Sequence, residues 1–193
     1  MSAVDPIGQF VSLFARAGTN APFDHVAVTL ATSTRDGHPS ARIVLLRGVD
    51  ARGFVFYTNY TSRKARELAL NAYAAICCYW PWLDEQARIE GIVERVAEDE
   101  SDEYFASRPR GSQIGAWASS QSQVLASRAE LEQRYHTTEL EYEGRAIPRP
   151  PHWGGFRLVP SRIEFWRAGT FRLHDRQLFV RAGDTWSLQL LYP

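Results

Sequence analysis

Alternation of apolar and polar residues marks the first third of the chain and predicts β-strands. It begins in the segment from His25 to Ser33, where Val26, Val28 and Leu30 share one face. Two more segments with strand character, residues 42–49 and 54–58, follow after short polar turns. Because such short turns join neighbouring strands, we expect these three segments to form an antiparallel meander.

The remainder of the chain mixes strand patterns with a few helical segments. Helices are expected at residues 5–17, 62–70, 98–106 and 127–143. Further strands are expected at residues 73–80, 86–96, 156–159, 162–167, 171–180 and 185–191. Eight or nine strands without repeated β–α–β units predict a mainly β, α+β protein with an antiparallel barrel and flanking helices.

The 193 residues are predicted to form a single domain. Pro148 to Pro151 is a rigid, extended linker, but the chain beyond it is too short for an independent core. We therefore expect residues 1–23 to be an N-terminal helix and lead. Residues 148–193 should be strands that complete the barrel and the functional site.

Composition and charge argue against several classes of function. The 22 basic and 22 acidic residues balance, whereas a general nucleic-acid or membrane-surface binder needs a basic excess. No apolar run approaches ~18 residues, and the start of the chain has no signal-peptide pattern. The adjacent Cys77 and Cys78 are expected to be core thiols in a strand, not a disulfide. A soluble, cytoplasmic protein in a reducing compartment is predicted.

Standard catalytic and metal-binding motifs are absent from the sequence. The five histidines have no metal-ligand spacing, so no metal site is expected. The stretch from Tyr104 to Ser122 is instead dense in cations, hydroxyls and amides, which suit the recognition of phosphate and heteroaromatic groups. A solvated loop is the alternative explanation of this stretch.

Cations gather at two other places. Arg63 and Lys64, the only lysine, occupy the first turn of a predicted helix, where they oppose the helix dipole unless an anion binds there. Arg172, His174 and Arg176 alternate in a predicted strand and should share one face. Because two cations beside an imidazole repel each other, this face should need an anion or a polar ligand.

Several segments together resemble the pyridoxine (pyridoxamine) 5′-phosphate oxidase family, from about residue 24 to the C-terminus. They occur in the order of the family's motifs: RIVLLR at 42–47, FYTN at 56–59, SRK at 62–64, SRPRGSQIGAW at 107–117, QS at 121–122, WGGF at 153–156, IEFW at 163–166 and RLHDR at 172–176. The resemblance implies a split β-barrel homodimer with two FMN molecules in clefts built by both chains.

The resemblance also implies which residues form the site. The family's FMN contacts fall on Arg42, Ile43, Val44, Leu45, Leu46, Arg47, Tyr57, Thr58, Arg63, Lys64, Gln86, Gln121, Ser122, Trp166 and Arg176. Its substrate contacts fall on Arg47, Tyr104, Arg108, Ser112, Arg172, Leu173 and His174. Among these, Arg172 and His174 are the implied catalytic residues, which orient the substrate and stabilise changing charge at its 4′ substituent.

The implied reaction oxidises pyridoxine 5′-phosphate or pyridoxamine 5′-phosphate to pyridoxal 5′-phosphate, with O2 reduced to H2O2. Two departures from the family pattern stand out. Position 47 is Arg where the family usually has Lys, and only about 24 residues precede the first strand, so a lid from that segment is not expected. Two alternatives remain: a related flavin oxidase of the phenazine-biosynthesis type, and a flavin-binding protein without catalytic activity.

Overall fold

Eight antiparallel strands form one sheet, and six of them close into a barrel. The computed structural model describes residues 5–193. The strands are β1 (Ala27–Ser33), β2 (Pro39–Asp50), β3 (Gly53–Asn59), β4 (Tyr73–Trp80), β5 (Glu85–Arg95), β6 (Trp153–Arg167), β7 (Asp175–Ala182) and β8 (Thr185–Leu190). Their order is β3-β2-β1-β4-β5-β6-β7-β8, and pairing of β3 with β6 closes the barrel. The antiparallel barrel predicted from the sequence is therefore confirmed.

The fifteen-residue strand β6 pairs with three other strands. Residues 153–158 pair with β3, residues 162–167 pair with β7, and residues 156–167 pair with β5. A single strand thus belongs to the barrel at one end and to the β7–β8 extension at the other. The sequence pattern predicted two strands here, 156–159 and 162–167, whereas the structure has one; Pro160, which cannot donate a ladder hydrogen bond, lies between the two predicted segments. The register shift between Glu90 and Gly91 accommodates this region.

Five α-helices surround the barrel. They are α1 (Pro6–Gly18), α2 (Arg63–Leu70), α3 (Glu98–Ser107), α4 (Arg110–Ala118) and α5 (Arg128–Glu141). As expected, Asp5 caps α1 by accepting from the Gly8 N–H, and Pro6 fills the first helical position. Phe10 and Leu13 on the apolar face of α1 join the barrel core, so the N-terminal helix is part of the domain's packing.

Side-chain alternation separates core from solvent along the strands. In β2, Val44 and Leu46 are buried, whereas Ile43 is 62% exposed on the opposite face. In β4, Cys78 is buried and Cys77 is half-buried, and both are free thiols. A second, smaller core lies beneath α3 and α4.

One alternative explanation and one expectation were wrong. The polar stretch from residue 104 to 122 is not a loop, because it contains the end of α3 and all of α4. Residues 171–174 are not strand: Thr170–Arg172 form a 3₁₀ turn, and β7 begins only at Asp175. Phe171 and Arg172 have positive φ angles of 56° and 64°, which no extended strand allows.

Within residues 5–193, no helix combines the length and the apolar character needed to cross a membrane.

Candidate functional site

Lys64 is the buried centre of the first group of candidate residues. It lies at the start of α2, and its Nζ donates to Thr58 Oγ1 at 2.9 Å and to Gln121 Oε1 at 2.8 Å, with Ser62 Oγ at 3.4 Å. All three partners are neutral oxygens. Burial, together with the nearby charge of Arg42, lowers the pKa of Lys64 to about 8. The structure therefore brings Thr58, Lys64 and Gln121 together around a cation that has no counter-charge among these contacts.

The carboxylate of Glu67, three residues after Lys64 in α2, pairs with two arginines. Arg63 Nε donates to its Oε1 at 2.8 Å, and Arg42 Nη2 lies 3.4 Å from its Oε2. Burial opposes ionisation of Glu67, but hydrogen bonds from Ser40, Thr32 and Arg63 lower its pKa to about 2. Arg42 and Arg63 thus share one carboxylate, and the charge of Arg42 also acts on Lys64, so three cations accompany a single acid in this region. The predicted cationic start of α2 is confirmed as a local positive excess.

A stack of three aromatic rings adjoins this group. The Tyr57 and Tyr104 ring centroids are 3.9 Å apart, and Trp153 lies 5.6 Å from Tyr57 with nearly parallel planes. Gly155 allows β6 to pack directly against Tyr57 of this stack, since an added Cβ would collide with Tyr57 and Val96. Burial, reinforced by the nearby charge of Glu100, raises the pKa of Tyr57 to about 12, so the Tyr57 phenol remains uncharged at neutral pH.

Arg108 lies on the Trp153 ring, with its guanidinium carbon 4.5 Å from the ring centroid. Its Nη1 is buried and has no hydrogen-bond partner in the described structure. Burial and the nearby positive charge of Arg47 lower the pKa of Arg108, with Tyr104 acting in the opposite direction. A buried donor without a partner is costly unless a ligand accepts from it.

A cavity of about 310 Å³ opens beside this arginine. Arg108, Ser112 and Gln121 line it, together with Trp153. Gln121 also accepts from Lys64, so one amide connects the cavity to the first cationic group. Ser122 follows with φ = 69°, at the turn that presents Gln121.

The exposed face of β2 holds the remaining candidates of this region. Ile43, Leu45 and Arg47 point outward, whereas Val44 and Leu46 lie in the barrel core. Any contact that Val44 or Leu46 makes with a ligand must therefore come from the main chain.

A second group of candidates lies on β5, β6 and β7. Trp166 pairs with Gln86 on one side and with Arg176 on the other. The His174 ring lies 4.7 Å from the Trp166 ring, and its Nδ1 accepts from the Gly169 N–H at 3.2 Å. Leu173 is exposed in the turn before it.

The arginines of this group differ from expectation. The expected common face of Arg172, His174 and Arg176 is wrong, because Arg172 lies in the 3₁₀ turn. Arg176 is neutralised by Glu164, to which its Nε and Nη2 both donate at 2.8 Å. The structure therefore does not support the expectation that charge repulsion among Arg172, His174 and Arg176 requires a ligand at this place. Arg172 itself is exposed, and its positive φ of 64° is a backbone conformation that glycine usually adopts.

The two groups occupy opposite ends of β6. Gly155, opposite Tyr57, and Trp166, opposite Gln86, are separated by a strand path of roughly 36 Å at 3.3 Å per residue. Within residues 5–193, no hydrogen bond, ion pair or ring contact joins the two groups directly. One chain therefore holds two separate groups of candidate residues.

Sequence reasoning missed three residues that organise these sites. Glu67 could have been found from its i,i+4 spacing to Arg63, which is typical of a helical ion pair. Glu164 and Arg149 had no such local signal, because their partners Arg176 and Asp102 lie on other elements. Among residues 5–193, no cluster of three potential metal ligands occurs.

Comparisons with known proteins agree with this geometry. Residues 21–142 match the family model described as pyridoxamine 5′-phosphate oxidase, and residues 153–193 match the pyridoxine 5′-phosphate oxidase C-terminal dimerisation region. The chain is 57% identical to a pyridoxine/pyridoxamine 5′-phosphate oxidase of Myxococcus xanthus strain DK1622, over 98% of this chain and 92% of that protein. A protein of the same description from Burkholderia lata is 54% identical, over 99% and 90% of the two chains.

A solved structure extends the similarity to three dimensions. The crystal structure of PhzG from Burkholderia lata, in complex with tetrahydrophenazine-1-carboxylic acid, has a TM-score of 0.94 and 34% identity, over 100% of this chain and 94% of that one. The family model covers more than half of the chain, and the relatives align over nearly all of it. The chain therefore belongs to the pyridoxamine 5′-phosphate oxidase family.

Proposed function

We propose that the protein is an FMN-dependent oxidase that converts pyridoxine 5′-phosphate and pyridoxamine 5′-phosphate to pyridoxal 5′-phosphate. One observation carries the proposal: two separate cationic sites, at Lys64 and at Arg108, both contact or adjoin Gln121. A flavin mononucleotide and a phosphorylated vitamin each bring one phosphate. Two neighbouring anion sites joined by an amide suit this pair of ligands.

The residues around Lys64 fit the phosphate of FMN. Arg42, Arg63 and Lys64 exceed the charge of Glu67 by two, and a phosphate carries close to two negative charges near neutral pH. A phosphate would also supply the missing counter-charge of buried Lys64. FMN, when bound, supplies the two-electron redox chemistry that these side chains lack.

The residues around Arg108 fit the phosphate of the substrate. The free Nη1 donor of Arg108 and the Ser112 side chain line one cavity, and the Tyr104 ring stacks nearby. Arg47 adds a second guanidinium whose charge is felt at Arg108. Replacing the family's usual Lys with Arg at this position provides a planar donor fork, which suits a phosphate.

His174 would act at the reacting end of the substrate. Its Nδ1 accepts from the Gly169 N–H, so in the neutral ring the proton is on Nε2. That nitrogen can donate to the 4′ oxygen or nitrogen of a substrate, and Arg172 can stabilise negative charge beside it. The reaction removes a hydride from the 4′ carbon and a proton from the attached oxygen or nitrogen, and O2 takes up the two electrons and two protons as H2O2. With the amine substrate the product is an imine, which water hydrolyses to the aldehyde and ammonia.

A complete site would require a second copy of the chain. The groups around Lys64 and around Trp166 lie at opposite ends of β6, so each can be completed by the other group of a partner. The match of residues 153–193 to a dimerisation region supports this arrangement. We therefore propose a homodimer with two FMN sites at its interface.

A flavin oxidase of the phenazine-biosynthesis type is the second candidate, because PhzG shares the fold with a TM-score of 0.94. Sequence identity favours pyridoxine and pyridoxamine 5′-phosphates as substrates over a phenazine precursor. Two proteins of Burkholderia lata allow the comparison within one organism: the chain is 54% identical to the one described as a pyridoxine/pyridoxamine 5′-phosphate oxidase and 34% identical to PhzG.

Purification, a visible spectrum and an oxidase assay test the proposal. We expect a yellow protein that forms pyridoxal 5′-phosphate and H2O2 in equal amounts from pyridoxine 5′-phosphate. A yellow protein that oxidises tetrahydrophenazine-1-carboxylic acid but neither vitamin phosphate would establish the second candidate. A yellow protein without any turnover would indicate flavin binding alone, and inability to take up FMN would refute all three.

A further inference from the structure

We propose that Arg149 is a positioning residue that holds Arg108 and Trp153 in the geometry needed to bind a phosphate monoester. This inference rests on the proposed function, since it assigns a phosphate to Arg108. It concerns the linker before β6, to which sequence analysis gave no role beyond connecting two elements.

Arg108 depends on its neighbours for its position. It follows the last residue of α3, and its closest described support is the face of Trp153, at 4.5 Å. Because Nη1 has no hydrogen-bond partner, no polar contact fixes that end of the guanidinium. The direction in which this donor points is therefore set by two things: where α3 ends, and where the Trp153 ring lies.

Arg149 contacts both of these elements. Its Nε donates to Asp102 Oδ1 of α3 at 2.5 Å, and its Nη1 donates to the main-chain oxygen of Trp153 at 2.8 Å. The side chain is only 11% exposed, whereas Asp102 is 60% exposed. One guanidinium thus connects the helix that leads to Arg108 with the residue on which Arg108 rests.

The chemistry of this connection requires an arginine. A guanidinium presents several donors in a fixed plane, so two acceptors on different elements are held at a defined separation. A lysine ammonium could form the ion pair with Asp102, but its point charge on a flexible stem does not fix the second acceptor. Lysine should therefore restore part of the effect and not all of it.

Other contacts attach α3 to the barrel without Arg149. Arg157 Nη2 donates to both carboxylate oxygens of Glu100, at 2.8 and 3.0 Å, and the Gly155 N–H donates to Ser101 Oγ at 3.1 Å. Both contacts precede Asp102 in the helix, and after it Gln113 Nε2 donates to the main-chain oxygens of Phe105 and Ala106 at 3.0 and 3.2 Å. Loss of Arg149 should therefore leave α3 folded and attached, but remove the polar link that sets the position of Trp153 relative to the helix that leads to Arg108.

Steady-state kinetics of the FMN-loaded Arg149→Gln variant test the inference. We expect KM for pyridoxine 5′-phosphate to rise about tenfold, kcat to change less than about twofold, and FMN affinity to stay unchanged. Arg149→Lys should recover part of the loss, and Asp102→Asn should raise KM about threefold. The matched control is Arg145→Gln, since the Arg145 side chain is exposed and contacts only Glu141 and Tyr142.

Equilibrium binding separates positioning from general damage and from failure of the proposed function. Arg149→Gln should weaken binding of pyridoxal 5′-phosphate much more than binding of pyridoxal, which has no phosphate. Equal weakening of both ligands, loss of FMN, or an unchanged KM in both Arg149→Gln and Asp102→Asn would overturn the inference. If the wild type binds pyridoxal 5′-phosphate without oxidising either substrate, the proposed function fails while this binding test still decides the inference. If the wild type does not bind it, both fail.

Discussion

Replacing Lys64 with methionine should change stability and flavin affinity in opposite directions. Lys64 is a buried cation whose contacts are neutral oxygens, and its pKa falls from 10.5 to about 8. At 1.36 kcal/mol per pKa unit, holding the charge in the flavin-free site costs about 3 kcal/mol. Methionine removes this cost and also two hydrogen bonds, each contributing about 1 kcal/mol. The flavin-free variant should therefore be about 1 kcal/mol more stable at pH 7.

The sign of this difference should depend on pH. In the folded protein Lys64 loses its proton near pH 8, whereas in the unfolded chain it keeps the proton until about pH 10.5. Between these values the unfolded state binds more protons, so wild-type stability rises with pH. The advantage of Lys64→Met should be complete below pH 8 and shrink through this window. At pH 10 the lost hydrogen bonds should dominate, and the variant should be the less stable protein.

Urea unfolding of the flavin-free proteins at pH 7 and pH 10 measures this reversal. In a thermal unfolding experiment, a difference of about 1 kcal/mol corresponds to a Tm change of about 2–4 °C. FMN titration of the same samples at pH 7 should show affinity reduced about 10- to 100-fold, because a charge-assisted hydrogen bond to phosphate is lost. Arg66→Met is the control, since Arg66 lies on the exposed face of the same helix. A Lys64→Met protein that is destabilised at both pH values and retains full FMN affinity would refute the reasoning.

Three further substitutions test other parts of the structure. Arg172→Ala should leave FMN bound and depress turnover, measured by peroxide formation and the visible spectrum; loss of flavin would show that its role lies in cofactor binding. Phe171→Gly should raise the free energy of unfolding by up to about 1 kcal/mol in a urea titration, because Phe171 is 93% exposed and glycine tolerates its φ of 56°. Phe10→Ala should lower the free energy of unfolding by about 3–5 kcal/mol, since its fully buried ring leaves a cavity; a loss below about 1 kcal/mol would mean that α1 is not part of the core.

Sequence patterns predicted the elements whose side chains alternate between core and solvent. In β2, the two-residue period separates Val44 and Leu46 from Ile43 on the two faces of the strand, and the structure shows that the face of Val44 and Leu46 is the buried one. Local hydrogen bonding was equally readable at the start of α1 and of α5, where Asp5 and Ser127 cap the helix.

Elements that depend on tertiary contacts were not predictable in the same way. Helix α4 contains Gly111 and Gly115, which lower helix propensity, so its sequence resembles a loop. It is stabilised by burial of Ile114 and by the Trp117 Nε1 hydrogen bond to the Pro148 oxygen at 2.8 Å. A helix that relies on such distant partners has little local signal.

In the candidate site, too, features encoded by local sequence were predictable and features that depend on tertiary contacts were not. Arg63 and Lys64 were recognisable from the helix start alone, but the unsatisfied Nη1 of Arg108 depends on burial by other elements. Arg110, which had no assigned role, donates to the main-chain oxygens of Tyr142 and Arg145 and thereby joins α4 to the end of α5. Only three-dimensional packing reveals such contacts, because the partners lie more than thirty residues away.

The closure of the barrel by β6 has a consequence for the order of events during synthesis. Strand β3 ends at Asn59, and its closing partner begins at Trp153, so residues 60–152 must be made before the barrel can close. Until then β3 and β5 both present unpaired backbone edges, which favour association with other chains. A chain whose synthesis ends before Trp153 contains five of the six barrel strands and cannot close the barrel. The last quarter of the polypeptide therefore decides whether a nascent chain becomes a folded protein or an aggregation hazard.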